Sequence, residues 1–131
     1  MNRSLLPQGV GFLLGLCRRA GRLACGHWAV ESALRRGAAR LVIVAEDAGA
    51  AALRRHQSLA RDRGIPVYRV GNREELGRAI GLEPKAVLAV TDGELAGKVQ
   101  EALDRAAVRP LETAVQAGAR RERGDSRGSE G

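Results

Sequence analysis

The sequence predicts an α/β protein, a three-layer α/β/α sandwich around a central four-stranded mixed sheet. Short apolar, β-branched runs alternate along the chain with amphipathic stretches of helical period. The run Leu41-Val42-Ile43-Val44-Ala45 is apolar without a break, as expected of a strand covered on both faces. Gly21, Gly37, Gly64 and Gly81 punctuate the successive segments. A chain of 131 residues is enough for one domain with a real core, placed at residues 1–108 and followed by a tail at 109–131. Phe12, Trp28 and Tyr68 are the only aromatic residues, so aliphatic burial has to hold that core together.

The first amphipathic stretch follows Pro7, a residue suited to a helix's first turn. Gly9, Phe12, Leu13, Leu16 and Ala20 recur at helical spacing until Gly21 ends it. Arg18 and Arg19 fall in its last turn, where cations suit the helix dipole. Residues 22–25 leave room only for a short edge strand. Gly26 or His27 then starts a central helix that Gly37 closes. At 3.6 residues per turn, Val30, Ala33 and Leu34 share one stripe, while Trp28, Ser32, Arg35 and Arg36 lie on the other side. Trp28 stands about 160° round from Val30.

After the strand at 41–45, Asp47 is placed to cap a third helix whose inward stripe is Leu53, His56, Leu59 and Ala60. Residues 67–70 form the third strand. Asn72-Arg73-Glu74-Glu75 has the form of a capping box, an N-cap amide with a carboxylate three residues on, and opens a short helix ended by Gly81. Residues 86–91 make the fourth strand, and Asp92 caps a last helix with Leu95, Val99, Leu103 and Ala106 inward. Beyond Pro110 the pattern decays. Residues 120–131 have no apolar periodicity to bury, which suits a basic and polar, largely disordered tail.

Charge is distributed unevenly. Formal net charge is +7, and residues 1–40 carry seven arginines against Glu31 alone, net +6, whereas residues 41–108 carry ten bases and ten acids. An excess of that kind in one third of the chain points to an acidic partner. Trp28 shares the polar face of the central helix with Arg35 and Arg36. An outward aromatic among guanidinium groups is equipped to stack an unpaired base while neutralising phosphates, which suits structured RNA better than duplex DNA.

Other chemistry is not indicated. The glycines at 9, 11 and 15 have the wrong spacing for a dinucleotide fingerprint and no preceding strand. His27 and His56 have no partner at ligand or triad spacing, so no metal and no cofactor is implied. Glu46 and Asp47 lie at a strand end, a place where α/β enzymes keep catalytic groups, but capping suits Asp47 better than catalysis. Cys17 and Cys25 are too few for a disulfide framework, and reduced thiols fit a cytoplasmic protein. No apolar stretch approaches the length of a membrane span, and the arginines after the apolar run at 9–17 do not suit a signal-peptide cleavage region.

Four stretches carry a resemblance to a known family: AGRLACG at 20–26, RRGAARLVIVAED at 35–47, IPVYRVGNREELGRAIG at 65–81 and AVLAVTDGEL at 86–95. Together they resemble the L-seven-Ae and L-thirty-e family of ribosomal, RNA-binding proteins, especially its short bacterial YlxQ-type members. The resemblance implies the same α/β/α sandwich and a kink-turn RNA as ligand. In the family, a glycine, a polar residue, Asn-Glu and, three residues later, Lys open the central helix and read sheared G·A pairs. Gly26 matches the glycine and His27 the polar residue. Trp28, Ala29 and Ser32 stand where Asn, Glu and Lys are expected, and these departures remove the groups that would hydrogen-bond the guanines. The family's second contact is an apolar loop before the last strand, which here is Gly81-Leu82-Glu83-Pro84-Lys85-Ala86 and offers Leu82 and Pro84.

The resulting expectation is a non-enzymatic, cytoplasmic RNA-binding protein of the translation apparatus or another ribonucleoprotein. It would hold ribosomal RNA or a kink-turn-like RNA through Arg18, Arg19, Arg22, Gly26, His27, Trp28, Arg35, Arg36, Leu82 and Pro84, with ribosomal or translation-related proteins as further partners. The alternative is a protein–protein module on the same fold in which Trp28 is the anchor, since Trp and Arg also dominate protein interfaces.

Overall fold

The computed structural model describes residues 6–111. Nine elements follow one another: α1 (Val10–Arg19), β1 (Leu23–Cys25), α2 (His27–Arg35), β2 (Leu41–Val44), α3 (Ala50–Asp62), β3 (Val67–Arg69), α4 (Arg73–Ala79), β4 (Val87–Val90) and α5 (Gly93–Arg105). The strands form one mixed sheet in the order β1-β4-β2-β3. β4 is antiparallel to both β1 and β2, and β2 is parallel to β3. The expected three-layer α/β/α sandwich is the architecture found.

Alternation along the central strands divides the core in two. Leu41, Ile43, Leu88 and Val90 face a layer made by α1, α4 and α5, where Leu14, Leu76, Val99 and Leu103 meet them. Val42, Val44, Val87 and Ala89 face α2 and α3, where Val30, Ala33, Leu34 and Ala60 meet them. Every residue of β2 and β4 is buried, which is why both read as unbroken apolar runs. The capping box at Asn72 and Glu75 is present in both directions, and Asp92 accepts the Leu95 N–H at 2.8 Å.

The buried side of α1 is Val10, Leu14, Gly15 and Cys17, whereas Phe12 is 69% exposed. Residues 10–17 are apolar nearly all round the cylinder, so the period alone did not select the face. Two local expectations are corrected. Asp47 does not cap α3, whose N-cap is Gly49 with no side-chain cap. Its carboxylate instead accepts the N–H of Arg73, the first residue of α4, at 3.0 Å. In α5, Ala96 and Ala102 join Val99 and Leu103 in the core, whereas Ala106 is exposed.

The chain remains engaged past α5. The Leu111 N–H donates to the Val67 carbonyl at 2.7 Å along β3, and the side chain packs on the α2/α3 side of the core. Of the tail expected at 109–131, residues 112–131 lie outside the described residues. Among those described, no helix is long and apolar enough to cross a membrane.

Candidate nucleic-acid interface

The start of α2 is built around Gly26. Its φ of +94° with ψ of 167° lies in a region essentially confined to glycine, so a side chain here is strained. That geometry lets the Gly26 N–H donate to the Val87 carbonyl at 2.9 Å, while the Gly26 carbonyl accepts from Val30 at 3.0 Å to begin the helix. No side chain caps α2, and its start carries the positive end of the helix dipole.

The loop between α4 and β4 lies against this helix start. Lys85 Nζ sits 3.8 Å from the position a Cβ on Gly26 would take, and it pairs with Glu83 at 2.8 Å. The Lys85 hydrogen bond holds the Glu83 carboxyl below its usual range. The loop is seated by the Leu82 N–H on the Gly77 carbonyl at 2.8 Å and by the Lys85 N–H on the Arg73 carbonyl at 3.1 Å. Leu82 is half-buried against the core and Pro84 is exposed. Arg18 closes the cluster by donating to the Ile80 carbonyl at 3.0 Å. Burial pushes the Cys25 thiol up while Lys85 and Arg18 pull it the other way, and burial likewise raises Cys17. Neither thiol is activated.

Trp28 projects from the outer face of α2 and is 82% exposed. It lines three adjoining concavities of about 400, 270 and 400 Å³. The first is shared with Glu31, Ser32, Arg35 and Arg36. The second runs to Gly21, Leu23, Ala24 and Thr91 at the β1 edge, beside the exposed Arg22. The third faces α3. Arg36 Nη1 donates to Ser32 Oγ at 2.7 Å, which places a guanidinium over Ser32. Glu31, the single acid of residues 1–40, is paired with Arg55 of α3. Because Trp28 has left the core, Trp28→Ala should leave the melting temperature almost unmoved, against about 3–5 kcal/mol for a buried tryptophan. A large loss in thermal unfolding would contradict the placement.

The structure therefore gathers the sequence-derived residues into two neighbouring groups. One is Gly26 with Arg18 and the loop of Leu82 and Pro84; the other is Trp28 with Arg35 and Arg36. Arg19 falls outside both, lying back along α1 with Nη1 3.4 Å from the position of a Gly15 Cβ. His27 also departs from expectation, since it has a partner: its Nδ1 is 2.8 Å from His56 Nε2, with the rings stacked at 5.0 Å. Sequence reasoning passed over Lys85, whose place beside Gly26 depends on the return of a distant loop. It also missed the histidine pair, whose members are separated by 29 positions. Among the described residues no group of three or more His, Cys, Asp or Glu is disposed to hold a metal ion.

An α/β/α sandwich with an uncapped central helix, a loop seated against its start and a basic face bearing tryptophan defines the class of protein. The model of the Ribosomal protein L7Ae/L30e/S12e/Gadd45 family matches residues 10–100, and the chain belongs to that family. It is 36% identical over 92 residues to the RNA-binding protein YlxQ of Bacillus subtilis (strain 168), an overlap of 70% of this chain and 92% of that protein. Among solved structures, a Bacillus halodurans protein described as having unknown function superposes with a TM-score of 0.71 at 36% identity, over 73% of this chain and 97% of that one. The Giardia lamblia 15.5kD RNA binding protein superposes with a TM-score of 0.65 over 73% of this chain and 82% of its own, and at 24% identity that likeness shows the fold alone.

Proposed function

We propose that this chain is a non-enzymatic, cytoplasmic RNA-binding protein that holds structured RNA, ribosomal or another non-coding RNA, against the start and outer face of α2. The observation that carries this reading is Trp28, 82% exposed between Arg35, Arg36 and Ser32 in a chain whose bacterial relative is named an RNA-binding protein. A base stacks on the indole, and the arginines meet the phosphates around it. Gly26, Arg18, Leu82, Pro84 and Lys85 supply a second contact, where the positive end of the helix dipole and cations suit a phosphate.

The departure from the family's Asn-Glu-Lys pattern changes the contact chemistry. With Trp28 and Ala29 in place, the guanine edges of a kink-turn lose their hydrogen-bonding partners, and stacking takes over. Arg36, bonded to Ser32 Oγ, returns a cation to the position where the family has lysine. The Asp47 carboxylate, the strand-end acid considered for catalysis, accepts the Arg73 N–H.

Salt dependence tests the electrostatic half of the proposal. If about four arginines reach phosphates, log affinity falls against log salt with a slope of roughly −3. Replacing Arg35 and Arg36 by Ala should flatten that slope with little change in thermal stability, as both are exposed. A slope near zero for the best-binding RNA would contradict the reading. A protein that binds the wild type and is lost with Trp28→Ala, with RNA leaving that surface untouched, would favour the protein-anchor alternative.

A further inference from the structure

A histidine pair, His27 of α2 and His56 of α3, lies at the seam of the two helices. His27 Nδ1 and His56 Nε2 share one proton across 2.8 Å, and the surroundings of His56 decide which nitrogen carries it. His56 is 1% exposed, and its Nδ1 has no hydrogen-bond partner. A buried N–H without an acceptor is less favourable than a bare ring nitrogen. The His56 proton therefore sits on Nε2 and is donated to His27 Nδ1. His27, accepting there, carries its own proton on Nε2.

His27 is exposed, and with Trp28, Glu31, Ala52, Arg55 and His56 it lines the concavity of about 400 Å³ between α2 and α3. Glu31 and Arg55 are committed to each other. The groove thus offers an exposed indole, the small apolar side chain of Ala52 and the imidazole N–H of His27.

We infer that His56 is a positioning residue that fixes His27 as an Nε2–H donor, and that the α2–α3 groove takes an unpaired nucleobase. The base stacks on Trp28, and an in-plane acceptor on its edge receives the His27 proton. A neutral donor and an aromatic wall suit a base better than a phosphate, which the arginines beside the neighbouring groove would take. The inference rests on the RNA-binding reading and adds to it a subsite on the α3 side of Trp28.

Nitrogen-15 NMR of the histidine rings in the free wild-type protein tests the positioning step without RNA. Both histidines are expected to be protonated at Nε2, and a proton on Nδ1 of either overturns the assignment. Binding is then read with a six-nucleotide oligoadenylate and with the same strand made abasic throughout. His27→Ala and His56→Phe should each weaken the base-bearing strand about fivefold, the loss of one ordinary hydrogen bond, and leave the abasic strand unaffected. His56→Gln, which can still donate to His27, should bind like the wild type. Folded His56→Phe with undiminished preference for the base overturns the proposal. If His56→Phe does not fold, His27→Ala and the tautomers decide it. A wild type that binds neither strand nor any structured RNA refutes the RNA reading itself, a result separable from a wild type that binds RNA without regard to His27.

Discussion

Lowering the pH from about 6.5 toward 4 is expected to remove about 3 kcal/mol of stability through His56 alone. Burial, followed by the nearby charges of His27 and Arg55, brings the His56 pKa down from 6.5 to about 4. The unfolded chain, with an ordinary histidine, takes up its proton first as the pH falls. The stabilisation associated with neutral His56 is therefore complete above about pH 6.5, declines below it, and is gone once the pH has passed the folded-state value. The structure gives the reason. Protonation would put a charged N–H at Nδ1, which is buried and has no partner. Denaturant unfolding across the series should register about 2 kcal/mol of loss between pH 6.5 and 5, above the main carboxylate range. His56→Gln should flatten this profile. Constant wild-type stability across the interval would mean that His56 is hydrated or protonated in the fold.

Gly77→Ala should cost about 3 kcal/mol or more and should damage RNA binding together with stability. A Cβ on Gly77 would stand 2.2 Å from the Glu83 carbonyl oxygen, 2.6 Å from its carbon and 2.9 Å from the Leu82 oxygen. All three atoms are backbone, so no side chain can turn aside, and the loop carrying Leu82, Pro84 and Lys85 must lift from α4. Overpacking of this kind typically costs about 1–3 kcal/mol, and more where backbone is displaced. The loop also loses its Leu82 N–H bond to the Gly77 carbonyl. Gly97→Ala is the matching control, because nothing lies within 4 Å of its Cβ position on α5 and alanine there should stabilise by about 0.5–1 kcal/mol. Equal melting temperatures for the two variants would show that the loop is not held by α4.

The parts of this fold governed by local chemistry were legible in the sequence. The continuous runs of β2 and β4 announce strands covered on both faces, the amide and carboxylate at Asn72 and Glu75 announce the cap, and the wheel of α2 turns Trp28 outward. The inward face of α1 was not legible, because Val10, Phe12, Leu13, Leu14, Leu16 and Cys17 cover most of the cylinder and two stripes satisfy the same period. Long-range pairings left no trace. Asp47 reads as the cap of the helix that follows it, and only the parallel pairing of β2 with β3 brings it to the start of α4. The site was half legible for the same reason. Trp28, Arg35 and Arg36 lie along α2, whereas Lys85 and His56 reach that helix from a returning loop and from the next helix. Gly77 gave no signal of its own, since a glycine in a short helix does not reveal what will pack on it.

The central claim is that Trp28 meets an unpaired base, and because it is the single tryptophan of the chain its fluorescence reports on that residue alone. The direct measurement is a titration of the wild-type protein with an RNA carrying unpaired nucleotides, followed by fluorescence and repeated by an independent binding assay with Trp28→Ala. Stacking predicts quenching that saturates with binding, together with a loss of roughly 1–3 kcal/mol in affinity for Trp28→Ala at a largely unchanged salt slope. Tight RNA binding that leaves the fluorescence unchanged and is insensitive to Trp28→Ala would contradict it.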